Sequence, residues 1–430
     1  MREGEKKDMK TVIAFYAAPR YWPEKGELDA AVRELSRDLD PSDEYRRALI
    51  FDGGQDVTRL SGDCLVIVPL SGAVQRRILE DAAGFRHVLL YCAYIRGNAS
   101  PGVCDGLLRA NAAPAVMDTW AVLRRTHGTA GIALDKEGLQ KKLRIMDAYR
   151  YVKGAKILKI GETEPWVVSN APDPALYEER FGLKIVRATQ DELVKLFREA
   201  TDSDAEKIRG WFKSRVEKIV EPSEEDIRAA SRMACALVKL LDAYGAEGAA
   251  VACFDLLKTG TNVCLGASYV NDCTGRFISC ECDMDSAVTM LLMKKLTRTK
   301  LWMANPGIRP DKTVNFSHCT APVRIGEKTL PTVLRSHHES GVGVSLQVEF
   351  PAGTELTLCR ISDSCGKISI HRAVSVEGPY ETACRTQMHV RLDDFDRWLR
   401  TSLGCHQVFA FEDISSEVAE LADMFGLVRV

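Results

Sequence analysis

The stretch "DCLVIVPLSGAVQRRILEDAAGFRHVLLYCAYI", residues 63–95, sets a continuous apolar strand, an amphipathic helix and a second apolar strand end to end. A strand that is apolar on both faces has to be covered on both faces, which is the situation of a parallel sheet flanked by helices. The pattern continues outward in both directions. Upstream, "TVIAFYAA" (11–18) reads as another buried strand, "LDAAVRELSRDL" (28–39) has helical spacing, and "RALIF" (47–51) is a short strand. Downstream, "MDTWAVLRRTHG" (117–128) reads as a helix ending at Gly128, and "KEGLQKKLRIMDAYRYVKG" (136–154) as a helix leading into a second alternating block.

That second block opens with the strand "AKILKIG" (155–161) and continues through "FGLKIVRA" (181–188) into a charged helical stretch around 189–219. "PSEEDIRAASRMACALVKLLDAYG" (222–245) is the clearest helix in the chain. Ser223 with Asp226 forms a capping box, Ile227, Ala230, Ala234, Leu237, Val238 and Leu241 share one face, and Gly245 stops it. "GAAVACFDLL" (248–257) then reads as a strand and "SAVTMLLMKKLT" (286–297) as a helix. From about residue 310 short strand-like pieces take over: "TLPTVL", "VGVSLQVEF", "ELTLCRI", "KISIHRAVSV" and "MHVRL", closed by the helix "SEVAELADMFG". The expected fold is α/β: two Rossmann-like doubly wound domains, 1–130 and 131–309, followed by a β-rich, barrel-like C-terminal domain, 310–430. The first strand runs into "FYAAPRYWP" rather than a GxGxxG turn, so the dinucleotide fingerprint is missing.

Bulk composition narrows the function. The 430 residues are 46% hydrophobic and 27% charged, ordinary for a soluble protein with real cores. A formal net charge of -2 gives no reason to expect nucleic acid or an anionic membrane as partner. No apolar run approaches the roughly 20 residues that span a bilayer. The opening "MREGEKKDMK" lacks the pattern of a secretory signal, so a cytoplasmic location is expected. The 14 cysteines are scattered, several within apolar runs, which suits reduced, buried thiols better than a disulfide framework. Cys273, Cys280 and Cys282 match no strong zinc or iron–sulfur spacing and read as buried thiols as well.

Three of the chain's 8 histidines fall in "NFSHCTAP" (315–322) and "LRSHHESG" (334–341). His318 ends a strand-like run. Neighbours along a strand point to opposite faces, so His318 and Cys319 are a poor nucleophile–base pair, and His318 is better read as a metal ligand. Glu281 lies between two cysteines at the end of a predicted strand, where ligands of α/β sheets bind, and could serve as metal ligand, general base or both. Asp283 and Asp285 stand at the start of the next helix, where capping is the plain reading. His406, in "LGCHQVFAFED", sits at the mouth of another apolar strand. One carboxylate and two histidines at strand edges suit an open site for a divalent ion such as Mn²⁺ rather than a closed structural zinc.

Four segments taken together, "NVCLGASYVNDCTGRFISCECDMDSAVTMLLM" (262–293), "NFSHCTAP", "LRSHHESGVGVSLQ" (334–347) and "LGCHQVFAFEDISSEVAELADMFGL" (403–427), resemble the L-fucose isomerase/L-arabinose isomerase superfamily, in particular its short fucose isomerase-like members. The resemblance covers mainly residues 250–430. It implies two Rossmann-like domains and a β-rich domain, a trimer or hexamer, a divalent metal, commonly Mn²⁺, and interconversion of an aldose and a ketose through an enediol. By motif position it implies that Glu281 is the acidic ligand and acid/base residue, that His406 is the late histidine ligand, and that His318 falls where the arabinose branch has a ligating histidine. Asn271, His337 and Glu339 are the candidate substrate contacts, with a small carbohydrate as substrate.

One position departs from that pattern. The second carboxylate of the family isomerases falls at Asn305, whose amide can coordinate but cannot exchange a proton. Asp283 or Glu339 then replaces the missing carboxylate, or the chemistry differs. Three functions follow from the sequence: a metal-dependent sugar isomerase, with Glu281, Asp283 and Asn305 at its catalytic centre; a lyase or epimerase acting on a small hydroxylated or phosphorylated substrate; and a non-catalytic sugar-binding protein.

Overall fold

The computed structural model describes residues 9–40, 44–51, 58–170 and 173–430. The charged opening segment read above as lacking a secretory signal lies largely outside them. The chain divides into two compact units, Met1–Asp147 and Ala148–Val430. The β-rich region therefore belongs to the same unit as the second alternating block.

In the first unit, β1 (Thr11–Ala17), β2 (Arg46–Phe51), β3 (Cys64–Pro69), β4 (His87–Tyr91) and β5 (Ala130–Ala133) form one sheet in the order β2-β1-β3-β4-β5. All four pairings are parallel. The continuous apolar strands of the sequence are explained by two cores. Ile13, Phe15 and Ala17 face one of them with Leu28 and Leu35, while Val12, Ala14 and Tyr16 face the other with Ile78 and Val116. Alternate residues of β1 thus feed opposite layers, which is why the strand is apolar on both faces.

The second unit opens with β6 (Lys156–Ile160) and β7 (Lys184–Ala188), the two-residue β8 (Lys218–Ile219), β9 (Gly248–Val251) and β10 (Phe277–Ser279). Four of these form a second parallel sheet in the order β10-β9-β6-β7. The helix Glu224–Tyr244 packs Met233, Ala236, Leu237 and Leu240 against Leu158, Ile160, Ala249 and Val251. Its capping box and left-handed Gly245 stand as the sequence reading placed them. "GAAVACFDLL" is strand only to Val251; a 3-10 turn at Asp255–Thr259 takes the rest.

Beyond residue 300 come β11 (Leu301–Ile308), β12 (Val314–His318), the short β13 (Arg324–Ile325) and β14 (Lys328–Thr329), β15 (Thr332–Arg335) and β16 (Ser345–Val348). They are followed by β17 (Glu355–Ser362), β18 (Lys367–Val376), β19 (Thr386–Leu392), β20 (Gln407–Ala410) and β21 (Val428–Arg429). Seven of them form a sheet in the order β17-β20-β11-β12-β19-β18-β21, and β17 also pairs with β18. Trp302, Phe316, Leu358 and Phe409 fill its core. The protein is thus mixed α/β, with parallel sheets and a β-rich C-terminal region. Among the described residues no helix is long and apolar enough to cross a membrane.

Candidate metal centre

The site is built where β10 ends. Between Ser279 and the helix Met284–Lys294, Glu281 and Cys282 both take left-handed backbone, with φ of 58° and 49°. Two consecutive non-glycine residues in this region are strained, and such strain persists only where surroundings over-determine it. Here they do. The Glu164 N–H donates to the Glu281 carbonyl at 3.0 Å, the Cys282 N–H donates to Val251 at 2.9 Å, and the Thr163 hydroxyl donates to the Cys282 carbonyl at 3.0 Å. The loop after β6 therefore holds the turn that presents Glu281.

The turn brings Glu281 to two histidines. One ligand atom each from Glu281, His318 and His406 lie within 4.8 Å of one another. His406 Nε2 is 3.5 Å from Glu281 Oε1, and the two imidazole rings are 5.7 Å apart, nearly edge to face. His318 and His406 are buried and Glu281 is 13% exposed. Thr320 Oγ1 bonds His318 Nδ1 at 2.8 Å, leaving Nε2 as the coordinating nitrogen. His406 Nδ1–H donates to Asp283 Oδ2 at 2.7 Å, and its buried Nε2 has no hydrogen-bond partner. An orphaned buried nitrogen facing a carboxylate and a second imidazole is what a divalent ion with mixed N and O ligands would satisfy.

Electrostatics follow from burial and charge. Desolvation lowers His318 to about 4, helped by the neighbouring His406, so it is a neutral donor at pH 7. Burial by itself would lower His406 too, but its bond to Asp283, with Cys405 and the Glu281 carboxylate close by, outweighs it and holds the imidazole well above its ordinary value. Burial would raise Glu281, yet the nearby His406 keeps it below the usual carboxylate value.

Beneath the centre lies a buried ion network. Arg360, with no exposed side-chain surface, donates to Asp283 Oδ2 at 3.0 Å, the Ser286 hydroxyl at 3.1 Å and the His406 carbonyl at 2.9 Å. It also faces Asp285 at 3.7 Å. Asp283 caps the following helix through Ser286 N at 2.9 Å, as the plain reading has it, and in addition fixes His406. Burial opposes ionisation of Asp283, but the Arg360 charge and His406 overcome it and depress its carboxyl well below the usual range. Asp285, bonded to Tyr177 at 2.7 Å, is pushed by burial up to about 6.

The other sequence candidates fall at varying remove. Asn305 stands on β11 across from Ser317, one position out of register with His318. Asn271 is buried, and its amide donates to the Leu301 carbonyl, fastening its helix to β11. His337 bonds Ser340 at 3.0 Å and sets its ring edge-on to Phe254, with centroids 6.0 Å apart. Glu339 is exposed. Cys319, next to His318, is directed instead toward the Cys264 and Cys384 thiols. Cys280 and Cys282 are buried, whereas Cys273 is exposed, contrary to its reading as a buried thiol, because it ends its helix at the surface.

Three residues that sequence reasoning missed belong here. Trp166 Nε1–H donates to Glu281 Oε2 at 2.6 Å, and its ring stands edge-on to Phe254 at 4.8 Å. Glu164 accepts from the Phe254 N–H at 3.2 Å. Arg360 was signalled by its place inside the apolar run "ELTLCRI", where a charge needs a buried partner. A cavity of about 670 Å³ opens at the C-terminal ends of β6, β7 and β9, with Lys159, Gly161, Glu164, Arg187 and Asp255 in its wall. The chain leaves β6 toward β7 and β9 toward β10, so the cavity lies where strand order diverges. No family model and no curated protein matches this chain.

Proposed function

We propose that this protein is a metal-dependent isomerase that interconverts an aldose and a ketose through an enediol, as the resemblance to L-fucose and L-arabinose isomerases implies. The observation that carries the reading is the convergence of Glu281, His318 and His406 from three separate strand ends on one point, with a buried unsatisfied nitrogen among them. A divalent ion held there, Mn²⁺ by its carboxylate and imidazole ligands, would polarise the substrate carbonyl and the adjacent hydroxyl. Glu281 moves the proton between C1 and C2. Asp283 keeps the His406 Nδ1 proton in place so that Nε2 faces the centre.

Asp283 is not the replacement for the missing second carboxylate, because His406, Arg360 and Ser286 already occupy it. Glu164 suits that role better. It lies on the loop bonded to Glu281 and carries a carboxyl that burial raises. Within this proposal the parallel sheets are two Rossmann-like domains, the β-rich region is barrel-like, and the cytoplasmic protein works as a homotrimer or homohexamer on a small carbohydrate.

The test is a panel of aldopentoses and aldohexoses with the Mn²⁺-loaded protein in deuterated water. The expected result is a ketose product carrying solvent deuterium from one sugar, abolished in Glu281→Gln. Bound Mn²⁺ with no turnover of any aldose would favour the second reading, a lyase or epimerase that needs one base, which Asn305 in place of a carboxylate makes specific.

A further inference from the structure

Trp166 combines two properties that rarely coincide. Its indole is 52% exposed, yet its N–H is committed at 2.6 Å to the carboxylate of the candidate centre. A large aromatic side chain usually gains by hiding its ring; this one commits its polar edge inward while about half of the side chain stays exposed. Glu281 has two oxygens. Oε2 takes the indole N–H, and Oε1 is the one 3.5 Å from His406 Nε2. The indole bond therefore selects which oxygen is presented to the histidines. Phe254 braces the ring edge-on at 4.8 Å and in turn meets His337 at 6.0 Å, so Trp166, Phe254 and His337 form a continuous aromatic wall beside Glu281. Glu164, two residues earlier on the same loop, anchors Phe254 through its backbone N–H.

We infer that Trp166 is both the positioning residue for Glu281 and the platform on which the substrate's apolar C–H face rests. This rests on the isomerase reading above and adds the residue that would set its specificity. Carbohydrates present an apolar face of C–H bonds between their hydroxyls, and an exposed aromatic ring next to polar groups is the complementary surface. The N–H and the ring should have separable effects.

The test uses Trp166→Phe, which keeps a ring and loses the donor, and Trp166→Ala, which loses both. Both sit at a half-exposed loop position, and circular dichroism checks that they fold. Mn²⁺ alone is the first probe, read from the free-ion electron paramagnetic resonance signal. Both variants should bind it about tenfold more weakly, the low end of what an outer-shell partner contributes. The aldose panel on Mg²⁺-loaded protein is the second probe. At least one aldose should shift tryptophan emission of the wild type but not of Trp166→Phe. That aldose should protect Trp166→Phe against thermal unfolding about as well as the wild type and Trp166→Ala far less. Unchanged Mn²⁺ affinity in both variants, no aldose-dependent emission change in the wild type, or a change that persists in Trp166→Phe would overturn the inference. Failure of the wild type itself to bind Mn²⁺ would instead defeat the metal reading on which it rests.

Discussion

Replacing Asp283 by Asn weakens both the metal-free fold and the binding of metal, and the two effects are separately measurable. The asparagine can still accept from His406 Nδ1–H, so the ring need not turn, but the charge is gone. Arg360 is then left buried with only Asp285, at 3.7 Å, as counter-ion. Breaking one side of a buried charge pair typically costs about 3–5 kcal/mol of stability. Metal binding follows a subtler course. In the wild type His406 is held protonated by Asp283, Cys405 and Glu281 against the pull of burial, so an arriving ion must displace that proton from Nε2. Affinity for Mn²⁺ should therefore rise with pH for as long as His406 keeps that proton. Without Asp283 the imidazole holds its proton less tightly, and the dependence on pH should weaken. Loss of the outer-shell carboxylate also lowers ligand basicity, worth about 10–100-fold in affinity. The gap between the two proteins should thus widen as pH rises. The assay is the free Mn²⁺ resonance signal across the pH series, with urea unfolding to confirm that the variant is folded. Parallel lines for the two proteins, or a flat line for the wild type, would refute the assigned role of Asp283.

His318→Ala should lower Mn²⁺ affinity by about 10–100-fold, whereas Cys319→Ser should leave it nearly unchanged, because that side chain is turned toward Cys264 and Cys384; equilibrium dialysis of both variants decides it. Gly404→Ala should destabilise the fold and weaken metal binding together. Its φ is 153° and an added Cβ would lie 2.3 Å from Arg360 Nε, so the guanidinium must move off Asp283; urea midpoints with and without Mn²⁺ read both effects. His371 is lowered by burial, and further by Arg397, to about 4. A depressed histidine stabilises fully above its unfolded value near 6.5 and loses that contribution as pH falls toward 4, a loss of roughly 3 kcal/mol. His371→Gln should therefore show a smaller drop in stability between about pH 7 and about pH 4 than the wild type.

The alternation of strands and helices was legible because burial on both faces of a parallel sheet leaves few polar choices, as in β1 and β3. The capping box at Ser223 was legible because it is a local hydrogen-bond pattern. Glu281, His318 and His406 were legible as residue types at strand ends, and the fold brings them together. Their support was not. Trp166 lies 115 residues from Glu281 and Arg360 lies 77 from Asp283, contacts fixed by tertiary packing and by no spacing in the chain. The helix Cys264–Cys273 also escaped the reading, because it is buried on nearly every side and shows no polar face to give it a period. The amide partner of Asn271, the Leu301 carbonyl, is 30 residues away and lay equally beyond the reach of local spacing.

The central claim is that Glu281, His318 and His406 hold one divalent ion. Anomalous scattering from crystals soaked in Mn²⁺ tests it directly. The account predicts a single strong peak within about 2.5 Å of a Glu281 oxygen and of Nε2 of both histidines, the range of divalent metal–ligand bonds. A peak elsewhere, or none at these three side chains under saturating Mn²⁺, would contradict it.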